Sequence, residues 1–160
     1  MQTVADNENV ARILSKRWVV EGVILHMAFT LRENETYISV NRPSIQSYQD
    51  DVCSFVSSHP DFYADYMRTV YQRALINVGD IRAIDVIAGC KPLNVDVEVE
   101  PRDSFTKSHA GIFTRYNGTN LKPGTVLSVE GLEKNISADD ILLEVRDQLL
   151  DMSQLELLPL

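Results

Sequence analysis

The sequence predicts an α+β fold in a single domain, with a mainly antiparallel sheet and about three to four helices. Three stretches carry that expectation. LNVDVEV at 93–99 alternates apolar and polar residues with a period of two, as a strand with one buried face does. Asn117-Gly118 lies between two polar-flanked strand-like runs, and a type I′ hairpin needs positive φ at both central residues, which Asn-Gly adopts at little cost. SADDILLEVRDQLLDM at 137–152 has Ser137 as a cap and Asp139 and Asp140 in its first turn. Its residues Ile141, Leu142, Val145, Leu149 and Met152 share one helical face.

The remaining elements follow in chain order. DNENVARILSKRW at 6–18 opens on Asp6 and spaces Val10, Ile13, Leu14 and Trp18 as a short helix would. An irregular apolar stretch follows, with His26 expected half-buried, and then a strand at 36–40, TYISV. Pro43 suits a first helical turn, and Ile45, Tyr48, Val52, Phe55 and Val56 form one stripe, so a helix is expected from there to His59-Pro60. A further helix is expected from Asp61, but from Ala74 onward Ala74, Ile76 and Val78 alternate as a strand would, and 71–90 reads either way. Thr125 to Glu130 reads as a strand.

At 160 residues the chain is long enough to bury one core without staples. No apolar run approaches the roughly 20 residues of a membrane-spanning helix, and the acidic N-terminus is unlike a secretory signal. No membrane partner is expected. Cys53 and Cys90 stand alone, without the spacing of a zinc site or a disulfide framework, which fits a reducing cytoplasmic setting. With seven glycines and no phosphate-cradling motif, the sequence implies no nucleotide cofactor.

The formal charge of −8 is uneven, because residues 129–160 hold eight acids against Lys134 and Arg146. By contrast, Arg102, Lys107, Arg115 and Lys122 face Asp103 alone within 102–122. The overall sign disfavours duplex DNA, while the basic stretch can still meet an anion locally.

Several residues are candidates for chemistry. Asp96, Glu98 and Glu100 project from one face of the 93–99 strand, as metal ligands or an acid-base pair would, although a half-wetted sheet accounts for the same alternation. No metal site is assigned to them. His109 has Ser104, Ser108, Lys107 and Arg115 nearby in sequence and is the best general-base candidate, with Asp103 or an acid of the strand, Glu98 or Glu100, as its orienter. Arg42, Arg82, Lys107 and Arg115 are the cations suited to clamping a substrate anion, with local ion pairs as the alternative for Arg82. Tyr63, Tyr66 and Tyr71 interleave with Arg68 and Arg73 as a single-stranded nucleic-acid platform would, but their spacing equally suits a core stripe.

Two functions are compatible with this pattern. The first is a small cytoplasmic binding or regulatory module acting through protein–protein contacts, engaging a partner or a second copy of itself. Its acidic C-terminal helix would supply charge, and the apolar LELLPL tail within 153–160 a docking element unless it folds back onto the domain. The alternative is a hydrolase or transferase acting on a phosphate-bearing substrate, nucleotide or RNA, with His109 as general base.

Overall fold

The computed structural model of the chain describes residues 4–60, 70–86, 92–99, 107–128 and 135–159. The fold is α+β: among the described residues a seven-stranded antiparallel sheet, curled into a half-barrel, carries three helices. The strands of the sheet are β1 (Asn9–Leu14), β4 (Tyr37–Asn41), β5 (Val70–Asn77), β6 (Leu93–Val99), β7 (His109–Tyr116), β8 (Thr119–Asn120) and β11 (Gln154–Pro159). They lie in the order β11-β5-β1-β4-β7-β6, with β8 paired to β7. Two further two-stranded sheets are described outside this one: the hairpin of β2 (Val19–Val20) with β3 (Val23–Ile24), and β9 (Val126–Leu127) paired with β10 (Ile136–Ser137).

The helices are α1 (Tyr48–Ser58), α2 (Val78–Arg82) and α3 (Ala138–Met152). On one sheet face Val10, Leu14, Ile38, Val40, Ala74, Ile76, Val95, Val97, Ala110 and Ile112 meet Ile141, Val145 and Leu149 of α3. On the other, Ala11, Ile13 and Tyr71 meet Tyr48, Val52 and Val56 of α1. Burial of both faces accounts for the curl, since each layer must cover a twisted sheet.

The hairpin and the long helix form where the sequence places them. Asn117 and Gly118 take φ of 49° and 78°, and the Ser137 hydroxyl caps α3 by accepting from the Asp139 N–H at 3.2 Å. The 93–99 strand is β6. The ambiguous stretch resolves into β5 followed directly by α2, whose cap is the Asn77 side chain accepting from the Asp80 N–H. The helix expected from Asp61 lies outside the described residues.

Four expectations need correction. Residues 6–18 are not a helix; they are β1 followed by a 3-10 turn at Lys16–Trp18. β1 sits in the middle of the sheet and is buried on both faces, so it lacks the period-two signature of a half-wetted strand. The helix after Pro43 begins at Tyr48, because the Ile45 and Tyr48 N–H groups close two preceding turns onto Arg42 and Ile45. His26 is exposed, and within the described residues the strand expected at 125–130 is limited to Val126–Leu127. Of the two courses open to LELLPL, the chain takes the one that folds back onto the domain: 154–159 pairs along its whole length with β5 as the edge strand β11.

Candidate functional site

The sheet has a seam. β1 pairs with β5 over six residues and β4 with β7 over five, yet β1 and β4 align only at Ala11 and Asn41. Beyond that pair Arg12 spans the gap, donating from Nε to the Ala28 carbonyl at 3.0 Å and from Nη1 to the Ser39 carbonyl at 2.9 Å. Its guanidinium also lies 5.1 Å from the centre of the Trp18 ring, so a side chain replaces ladder hydrogen bonds and anchors the parting strands.

A pocket of about 50 Å³ opens on this seam beneath α1. Arg12, Ile13, Ser39, Asn41, Asp51, Phe55 and His109 line it. His109 is 6% exposed, and its Nε2 lies 3.2 Å from the Ser39 hydroxyl oxygen. The Tyr37 ring meets the imidazole edge-on at 6.1 Å between centres. Ser39 and His109 are neighbours because Asn41 pairs with His109 and Ser39 with Gly111, which puts all four residues on one face.

Behind the pocket Asp51, 5% exposed, anchors α1 to the start of β7. Its Oδ2 accepts from the Ser108 N–H at 3.0 Å, the Ser108 hydroxyl at 2.6 Å and the Ser47 hydroxyl at 3.0 Å. Asn41 donates its amide to the same Ser108 hydroxyl at 2.9 Å. Three of the buried polar residues, Asp51, Ser108 and His109, therefore concentrate at one place, each with its polar atoms hydrogen-bonded.

Of the residues expected to act together, the seam pocket contains His109 alone. Arg42 is turned to Glu8, which it grips through Nε and Nη2 at 2.9–3.0 Å. Arg82 reaches Asp6, Asp96 and the Val97 carbonyl, tying α2 to β6. Arg115 forms a two-pronged pair with Glu98 at 2.6 and 2.9 Å and stacks over Phe113; the Glu98 hydrogen bonds push its pKa above the ordinary value. Lys107 is exposed in the turn before β7.

The acid row is thus spent on arginines: Asp96 and Glu98 share a face, as their alternation requires, but each meets a guanidinium. Glu100, Asp103 and Ser104 lie outside the described residues. Among the described residues no three His, Cys, Asp or Glu side chains come together as metal ligands would. Tyr71 and Arg73 belong to the interior, where Arg73 donates to Glu156 and to the Tyr48 hydroxyl, itself 2.9 Å from that of Tyr71.

Arg12, Ser39, Asn41 and Asp51 were not singled out from the sequence. One local signal was present for two of them: in YISVN the polar residues Tyr37, Ser39 and Asn41 alternate with buried Ile38 and Val40. Asp51 interrupts the apolar stripe of α1 between Tyr48 and Val52, an acid where a helix normally buries carbon. Arg12 carried no such mark, because it lies within a stretch with helical spacing. No protein-family model matches the chain, no curated protein matches its sequence, and no solved structure matches its fold.

Proposed function

We propose that the chain is a hydrolase or transferase whose reacting centre is the seam pocket, with His109 as general base. One observation carries the reading: a buried imidazole nitrogen stands 3.2 Å from the Ser39 hydroxyl in the wall of a pocket. That is hydrogen-bond reach for proton transfer, and imidazole is the side chain whose ordinary pKa suits a base near neutral pH. In the reaction the Ser39 oxygen attacks the electrophilic centre while its proton passes to His109, and the imidazolium then protonates the leaving group. Water, deprotonated by the same nitrogen, releases the transferred group from Ser39.

The size and charge of the pocket bear on the substrate. About 50 Å³ accommodates one small group rather than a whole ligand, so a phosphoryl or acyl group would enter and the rest of the substrate would lie outside. Arg12 brings positive charge to the pocket wall, which favours an anionic phosphoryl group. The arginines expected as clamps are neutralised by carboxylates, and Lys107 remains the exposed cation beside His109.

The test uses the full chain with p-nitrophenyl phosphate, bis(p-nitrophenyl) phosphate and p-nitrophenyl acetate. Turnover of a phosphate ester is expected, falling by at least about 100-fold in His109→Asn and in Ser39→Ala but unchanged in Arg32→Gln, a surface control. Absence of turnover with all three substrates, together with histidine ring resonances that ignore added phosphate, would overturn the proposal.

A further inference from the structure

On the opposite side of the sheet, an open groove of about 620 Å³ runs between the β2–β3 hairpin and the end of α3. Ile24, Leu150 and Leu155 supply its apolar floor, and Asp147 and Asp151 its acidic rim. Large apolar side chains stand in water around it. Val23 is 62% exposed and lines the groove; Val20, its neighbour across the hairpin, and Met27 are also exposed. Leu157, 61% exposed, lies two residues beyond Leu155 and therefore on the same side of β11. Apolar side chains gathered at a groove with a polar rim are the mark of an interaction surface.

The adjoining main chain has an unmet capacity of its own. β11 ends the strand order, pairing with β5 on one side, and no described strand pairs with its other edge. An edge strand with outward apolar residues and no lysine is a template for one more strand as far as Pro159, which has no N–H to offer. The charge beside it is mainly negative: α3 carries Asp139, Asp140, Glu144, Asp147 and Asp151 against Arg146 alone. Arg146 is paired with Asp147, which leaves Asp151 exposed at the rim with no ion pair among the described residues.

We infer that β11 and this groove dock an extended, basic segment of another protein, which adds a strand to the sheet edge. Its backbone would complete the outer ladder of β11. Alternate apolar side chains would lie along Leu155 and Leu157 toward the hairpin, and a Lys or Arg would meet Asp151 and Asp147. A second copy of this chain is disfavoured as the occupant, because it would bring another acidic α3 against the same rim. The inference is independent of the seam pocket, which lies on the other sheet face.

The test is selection of random dodecapeptides displayed on phage against the full chain, followed by amide shift mapping with the enriched peptide. Enrichment of alternating apolar residues with interspersed Lys or Arg is expected, with shifts confined to 20–27 and 147–158. Affinity should fall about tenfold in Asp147→Lys/Asp151→Lys and in Leu157→Lys, and weaken with salt. Three outcomes would overturn the inference: enrichment of acidic or charge-indifferent sequences, shifts elsewhere or no enrichment at all, and sedimentation of the wild type as a dimer that Leu157→Lys dissociates. The last would assign the surface to a second copy.

Discussion

Asp51 holds both the backbone N–H and the hydroxyl of Ser108, 57 residues further along the chain, at 3.0 and 2.6 Å. Helix α1 and the start of β7 are thereby fastened together directly behind His109. Removing the carboxylate leaves a buried N–H without its acceptor and the hydroxyls of Ser108 and Ser47 with one partner fewer. Asp51→Ala should cost about 2–4 kcal/mol in urea unfolding, and Asp51→Asn, which keeps an acceptor oxygen, less than half of that. Equal losses in the two variants would show that volume rather than hydrogen bonding is what Asp51 supplies.

Acid should act through Glu8. Burial works to raise its pKa, but the Ala5 N–H, the Ser44 hydroxyl and the Arg42 guanidinium together hold it below the ordinary 4.5. A carboxylate depressed in the folded state adds stability in full above its unfolded pKa, and loses it as pH falls through the folded value. Stability should therefore decline below about pH 4.5, and Glu8→Gln should flatten that decline while costing about 1–3 kcal/mol at neutral pH. Unfolding midpoints between about pH 5 and 2 provide the check, and parallel profiles would count against it.

Gly111 has no room for a methyl group. A Cβ there would lie 2.7 Å from the Tyr37 ring and 2.8 Å from the Phe113 ring, which pack on each other at 5.0 Å between centres. Gly111→Ala should cost about 1–3 kcal/mol through this overpacking. Adding Phe113→Leu should recover part of the loss, measured as a coupling energy in a double-mutant cycle.

The edge strand is held by a half-buried clamp. Arg73 donates from Nε to Glu156 at 2.8 Å and from Nη1 to the Tyr48 hydroxyl at 3.1 Å, so one guanidinium joins β11, β5 and α1. Glu156→Gln should speed amide exchange in Gln154–Leu158 by about tenfold while leaving β6 unchanged. Uniform acceleration across the sheet would mean that β11 does not open separately.

At high pH the same cluster should fail through Tyr71. Burial, and then the Tyr48 hydroxyl, push its phenol well above the ordinary 10.0. A raised acid contributes stability that is complete below the unfolded pKa and lost as pH rises through the folded one. Alkaline unfolding should therefore begin above about pH 10, and Tyr71→Phe should shift its midpoint upward at the expense of about 1 kcal/mol near neutrality. Circular dichroism across that range decides the matter.

What was legible in the sequence was local. Positive φ at Asn117-Gly118, the Ser137 cap of α3 and the alternation of β6 each depend on residues within a few positions of one another, and each formed as expected. β1 was misread because a strand buried on both faces carries no alternation, and its apolar spacing copies that of a helix. His109 stands out in the sequence because histidine is rare here and chemically distinctive, and the structure places it in the wall of the seam pocket. Arg42, Arg82 and Arg115 were grouped with it from their type alone, and their neighbours in space proved to be carboxylates.

By itself, then, the amino-acid sequence determined the class of fold, its best hairpin and its longest helix, because propensity, capping and periodicity act over one or two turns. Tertiary structure decided the site. Ser39 and His109 are 70 residues apart, Asn41 and Ser108 67, and Asp51 and Ser108 57. Only the antiparallel register of β4 on β7 and the seating of α1 bring these groups together. Register and packing are set by the burial of two sheet faces at once, a property of the whole chain that no short window of it contains.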